Sequence, residues 1–205
     1  MGHVIVSGGA RASVPHSKGL PAGYTELAYI QSSGTQFIDT GFKPNQDTSF
    51  EADFEILEYD ASNLCVFGAR NSLNLRYELF ARNDNKYQIY YNTSFSFDFP
   101  GIINRHSLSM QKNVCNLDGI SYSGTYGTFQ INYNFGLFTV NNAGKWDSRI
   151  PLMRLYSAKL YDNDVLVRDF VPCINASGEV GLYDLVGKQF YGNAGTGVFT
   201  GSEVA

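Results

Sequence analysis

From Leu20 onward, apolar residues fall in short alternating or continuous runs, separated by clusters of Gly, Pro, Asn and Asp. Period-two alternation over such lengths marks half-buried β-strands, and turn residues at these intervals suit a sandwich. The pattern predicts strands over 24–30, 36–42, 48–58, 63–69, 74–81, 86–92, 94–99, 105–111, 113–118, 128–140, 150–161, 164–171, 179–185, 187–191 and 196–200. No window carries a sustained helical period. About fifteen strands are too many for an immunoglobulin domain and suit a two-sheet antiparallel jelly roll. Asn163-Asp164 and Val186-Gly187 sit where two-residue hairpin loops fit, while Pro44, Pro100, Pro151 and Pro172 are expected at strand boundaries.

Residues 1–19 lack this pattern. They are small, rich in Gly and Ser and interrupted by Pro15, which is the text of an arm rather than a core. The expected organisation is therefore an N-terminal arm over 1–19 and one sandwich over 20–205.

Composition supports the all-β reading. The 205 residues include 14 Tyr, 15 Phe and 21 Gly, with only 17% charged side chains. Aromatics favour pleated surfaces and Gly supplies turns. A net charge of −4 and the lack of any basic run remove the electrostatic footprint of nucleic-acid binding. No apolar run is long enough to span a bilayer. Export through a standard secretion signal is not expected, because the apolar stretch near the start is only Val4-Ile5-Val6. Cys65, Cys115 and Cys173 form no metal-like spacing, and their odd number fits reduced core thiols. A catalytic thiol would need a base nearby, and the histidines are only His3, His16 and His106.

Two stretches carry a family resemblance. The first is LPAGYTELAYIQSSGTQFIDTGFKPNQDTSFEADFEI over 20–56, followed by VFGARNS over 66–72. The second is LYSAKLYDNDVLVRDFVPCINASGEVGLYDLVGKQFYGNAGTGVFTG over 155–201. Together they resemble LamG-like, concanavalin A-like lectin/glucanase domains of bacteriophage structural proteins and gut-bacterial surface proteins. HSLSMQKNVCNLDG at 106–119 continues the likeness in style. The resemblance implies a curved jelly roll that often binds glycans on its concave face or rim loops. It also implies a virion part (capsid decoration, tail fibre or receptor-binding protein) made in the bacterial cytoplasm and displayed on the particle. Its arm would dock to other virion proteins, and it would act as a homo-oligomer or in many copies.

Glu51, Asp53 and Glu55 in FEADFEI match the E-x-D-x-E pattern of the laminarinase/lichenase hydrolases, which resemble this sandwich. There the first Glu is similar to a nucleophile, the last to a general acid, and the Asp tunes both. Retaining chemistry needs the two carboxyl groups about 5–5.5 Å apart. The same letters are explained by burial of Phe50, Ala52, Phe54 and Ile56 on one side, with the acids wet on the other. The expectation is a non-enzymatic chain, with hydrolysis by Glu51 and Glu55 as the rival. A structural decoration protein without ligand is the third reading.

Sugar binding calls for aromatic platforms beside planar polar groups. Tyr91 and Asn92 in DNKYQIYYNTS, Tyr122 and Tyr126 in SYSGTYGTFQINYN, and Trp146 with Asn142, Asp147 and Arg149 in NNAGKWDSR are the candidates. Trp146, the one tryptophan, leads because it falls in polar text. Arg70 and Asn71 are expected to hold the geometry of a turn. GNAGTG at 192–197 lacks the Lys of a phosphate cradle and reads as a loop. Asp84, Asp118, Asp147, Asp162 and Asp164 are too scattered for an EF-hand, and a calcium site remains an open alternative to no cofactor at all. Asn92 and Asn175 open glycosylation sequons, which mean little in the phage or bacterial cytoplasmic product that the resemblance implies.

Overall fold

A computed structural model gives the fold and describes residues 19–204 except 61, 93 and 94, with the backbone alone over 95–100. In chain order the strands are β1 (Thr25–Gln31), β2 (Ile38–Asp39), β3 (Thr48–Ile56), β4 (Leu64–Ser72), β5 (Leu75–Arg82), β6 (Lys86–Asn92), β7 (Phe95–Pro100), β8 (Asn104–Gln111) and β9 (Val114–Leu117). They continue as β10 (Ile120–Ser123), β11 (Gly136–Leu137), β12 (Val140–Asn142), β13 (Lys145–Trp146), β14 (Met153–Asp162), β15 (Val165–Ile174), β16 (Val180–Asp184), β17 (Gln189–Tyr191) and β18 (Thr200–Glu203). The arm expected over 1–19 falls, but for Gly19, outside the described residues.

The described chain is all β and forms a two-sheet jelly-roll sandwich. The larger sheet runs β10-β9-β8-β3-β14-β1-β15-β16-β17, with β18 added on β1. The smaller runs β13-β12-β4-β5-β6-β7, and β11 links β2 to β4. Pairing is antiparallel except between β12 and β4.

Alternation in β3 sets the layers. Phe50, Phe54 and Ile56 are fully buried and Ala52 nearly so, whereas Glu51, Asp53 and Glu55 face outward. Phe50 and Phe54 meet Phe67 of the opposite sheet at ring-centroid distances of 5.2 and 5.1 Å, and Phe54 meets Tyr87 at 5.8 Å. The abundance of tyrosine has a structural reason. Tyr77, on the smaller sheet, crosses the core and donates to the carbonyls of Thr48 and Met110 on the larger one, each at 3.3 Å. Tyr87 and Tyr91 likewise donate to the carbonyls of Ile102 and Gln46, in the segments leading into β8 and β3, at 3.1 and 2.8 Å. A buried hydroxyl needs such a partner, and backbone carbonyls supply it.

Several expectations are corrected. The strand expected over 128–140 reduces to β11 and the start of β12. Phe129, Ile131 and Phe135 are buried as their alternation suggests, but they join residues 40–46 through scattered backbone bonds, such as Ile131 N to Pro44 O at 2.8 Å. The region expected at 36–42 shrinks to β2 for the same reason. The strand expected over 63–69 is present as β4 and runs on through Arg70 and Asn71, which were expected in a turn. β10 and β13 were not anticipated. Asn163-Asp164 does form a two-residue hairpin loop, with φ of 48° and 65°. Val186-Gly187 lies instead in a four-residue connection, and the left-handed residue there is Lys188.

Pro172 is inside β15 rather than at its boundary. It occupies the gap where β15 changes neighbour, between the Ala158–Phe170 pair with β14 and the Glu26–Cys173 pair with β1. A residue without an N–H is tolerated where one side of the ladder is briefly vacant. Cys65, Cys115 and Cys173 are free and buried.

Candidate functional site

Because cross-strand partners share a face, register assembles a row on the outer side of the larger sheet. Ser121 of β10 faces Asn116 of β9, which faces Ser109 of β8. Ser109 faces Glu51 of β3, Glu51 faces Lys159 of β14, and Lys159 faces Asp169 of β15. One turn of the pleat away, Ser107, Asp53 and Ser157 make a parallel row. Small hydroxyl side chains at these positions leave the sheet surface low.

The result is a trough. A depression of about 530 Å³ is lined by Ser49, Glu51, Gln111, Lys112, Asn113, Val114, Tyr161 and Asp164. It meets a second of about 450 Å³ at Glu51, and Ser157 and Lys159 connect that one to a third of about 290 Å³ beside Asp169 and Leu185. Each is near or within the size of a small-molecule site, and together they suit an elongated ligand.

The trough has firm ends. At one, β14 bulges opposite β3, so that Tyr156 and Ser157 both turn outward between the buried Leu155 and Ala158. Arg105 stacks 3.8 Å over the Tyr156 ring and holds Asp53 through two bonds of 2.8 and 2.6 Å. Arg154 lies 4.5 Å over Tyr29, whose ring meets that of Tyr156 at 5.6 Å. Glu55 accepts from the Tyr156 hydroxyl at 2.7 Å and from Arg154 at 3.5 Å. At the other end, Lys112 pairs with Asp164 at 2.9 Å, and the Tyr161 hydroxyl donates to Glu51 at 3.3 Å. Burial, with Glu51 beside it, raises the Tyr161 phenol, so the hydroxyl remains a donor.

Three carboxylates on one strand are thus held in different directions. Glu51 leans to Tyr161, Asp53 to Arg105, and Glu55 to Tyr156 and Arg154. Residues four apart on a strand have Cα atoms roughly 13 Å apart. Glu51 and Glu55 turn toward tyrosines five positions apart on β14, so they do not converge on a common point.

Tyr126 is the one expected sugar contact near the trough. Half its surface is exposed and its hydroxyl donates to Asp47 at 2.8 Å. The Asp47 carbonyl in turn accepts from Asn163, beside Asp164 at the Lys112 end. Tyr91 is corrected: its ring is fully buried and offers no face to a ligand. Tyr122 turns inward opposite Cys115 and packs against the core. Asn92 ends β6 on the smaller sheet with φ of 60°.

Trp146 is corrected as well. It lies on the short strand β13, with its ring 4.8 Å from Phe37 and close under Gly136, where a Cβ would come within 2.8 Å of it. That is the position of an anchor for the loop. Its neighbours satisfy one another: Asp147 takes two bonds from Arg149 at 2.8 and 2.6 Å and lies 3.6 Å from Arg70, while Arg70 donates to Asn142 at 3.0 Å. The Arg149 bonds hold the Asp147 carboxyl down at about 2. Arg70 and Asn71 do hold loops, Asn71 by donating to Gln130 O and accepting from Asn132 N.

GNAGTG is a loop tied by Asn193, which accepts from Phe37 N and Gly195 N and donates to the carbonyls of Thr196 and Gly197. Among the described residues, no three His, Cys, Asp or Glu side chains gather as a metal site. Asp84 meets Arg82, Asp118 meets His106, and Asp162 meets Asn45. No protein-family model matches the chain, and no curated protein matches it.

Proposed function

We propose that this chain is a non-catalytic carbohydrate-binding sandwich whose glycan lies in the trough across the outer face of the larger sheet. The observation that carries the reading is the trough itself, several residues long and lined by serines, Asn113 and carboxylates. Hydroxyl and amide groups both accept from and donate to sugar hydroxyls, carboxylates accept from them, and Tyr161 and Tyr126 offer ring edges or faces at one end. The divergence of Glu51 and Glu55 supports binding over hydrolysis. The likeness to LamG-like domains of phage and surface proteins supports a place in a virion or cell-surface assembly, with residues 1–19 as the docking element. Multicopy display then compensates for a shallow, weak single site.

The test is a broad glycan array probed with the protein displayed multivalently. Selective signal that is lost on replacing Ser109 and Ser157 by bulky Met supports the reading. A flat array overturns it. A reducing-sugar assay on β-1,3 and mixed-linkage glucans addresses catalysis, and turnover lost in Glu51→Gln would replace binding by hydrolysis. Deletion of residues 1–19 with unchanged particle incorporation would remove the docking role.

A further inference from the structure

Charge along the trough is nearly, but not fully, balanced. Four carboxylates line it: Glu51, Asp53, Asp164 and Asp169. Asp53 is held by Arg105 at 2.6 Å, Asp164 by Lys112 at 2.9 Å, and Asp169 lies 4.0 Å from Lys159. Glu51 alone has no cation within ion-pair distance among the described residues; its one partner is the neutral Tyr161 hydroxyl at 3.3 Å. Lys159 stands directly across from it on β14, yet its ammonium is turned to the next strand. Glu51 is also where two of the depressions meet. It is half-buried and rooted between Phe50 and Ala52, over a dry core that screens its charge less than open water does.

From this we infer that the trough selects a glycan bearing free amino groups, a cationic hexosamine polymer, with one ammonium seated against Glu51. The inference rests on the proposed sugar-binding role. Such a ligand supplies the missing positive charge, while its remaining hydroxyls meet Ser109, Asn113 and Ser157. N-acetylation removes the charge and adds bulk at that point. Sulfated or uronic polymers bring anions to a surface already carrying one uncompensated carboxylate, so the trough disfavours them.

The experiment is calorimetric titration of the full chain with glucosamine, N-acetylglucosamine and glucose hexamers at about pH 6, where the sugar amine carries its proton. The glucosamine hexamer is expected to bind about two- to fivefold tighter than the acetylated one, the scale of a half-exposed ion pair. The preference shrinks in about 0.5 M salt and falls to about unity in Glu51→Gln. It persists in Glu203→Gln, a charge change on the exposed β18. Equal or tighter binding of the acetylated or neutral hexamer overturns the amine preference and leaves sugar binding intact. The absence of binding to any hexamer, with a flat array as well, removes both.

Discussion

Replacing Phe54 by Ala tests the layer assignment from which the trough follows. Phe54 is fully buried, and its ring meets Phe67, Tyr87 and His106 at 5.1, 5.8 and 5.7 Å. Phe-to-Ala changes in cores cost about 3–5 kcal/mol, and three ring contacts of about 0.5–1.5 kcal/mol each place this one at the upper end. Its neighbour Asp53 has a bidentate Arg105 partner, but the two side chains are 33% and 55% exposed. Asp53→Ala is therefore expected to cost about 1 kcal/mol or less, and Glu51→Gln less than about 0.5 kcal/mol. For a sandwich of this size about 2–4 °C accompanies each kcal/mol, so Phe54→Ala lowers Tm by about 10–20 °C while the acidic variants move it by a few degrees at most. Thermal and urea unfolding followed by far-ultraviolet circular dichroism read all three. An acidic variant as damaging as Phe54→Ala would show that the carboxylates are structural, and would refute the assignment of a wet outer face.

Three further outcomes follow from the structure. Gly68→Ala costs more than about 3 kcal/mol, because φ is +130° and a Cβ would lie 2.3 Å from Tyr77 O; soluble expression and urea midpoints check it. Asp147→Asn destabilises by about 1–2 kcal/mol at neutral pH, discounted for partial exposure. The folded carboxyl is depressed to about 2, so this stability is present above the unfolded value of about 3.9 and is lost as pH falls from about 4 to 2. The wild-type and variant urea midpoints should therefore converge below about pH 2. The three thiols stay silent to a thiol reagent until the chain unfolds, since burial pushes Cys115 and Cys173 up to about 12 and Cys65 higher still. Rapid labelling of the native protein would show that the sandwich opens.

Much of the layering was legible because alternation reports burial directly. Phe50 to Ile56 is the clearest case, and Phe129, Ile131 and Phe135 show the limit. Their alternation predicts burial correctly, yet burial does not require a regular ladder. The hairpin between β9 and β10 had a local signal, Asp118-Gly119, and both residues adopt positive φ, at 52° and 85°. Tyr90 and Tyr91 look alike in the chain, but a one-residue step decides which enters the core. The trough had no local signal. Its row takes one residue from each of six strands, and only long-range register aligns Ser121 with Asp169. The bulge at Tyr156 was equally hidden, because an extra residue on β14 is defined only against its partner β3.

The same register separates the carboxylates of an acidic strand that looks catalytic. A hydrolase must bring two carboxyl groups together over one bond and shift the acidity of one of them. On this sheet each neighbouring strand takes one carboxylate away: β8 takes Asp53 through Arg105, while β14 takes Glu55 through Arg154 and Tyr156. These ties fix the end of the trough and consume its charges. What remains open is a low floor of short polar groups around Glu51. On the proposed reading, a sugar seated there would cost the protein little conformational freedom, since the Arg and Tyr walls are already held by one another. On the proposed reading, Glu51, the acid left without a cation among the described residues, would be the point at which one hexose is told from another.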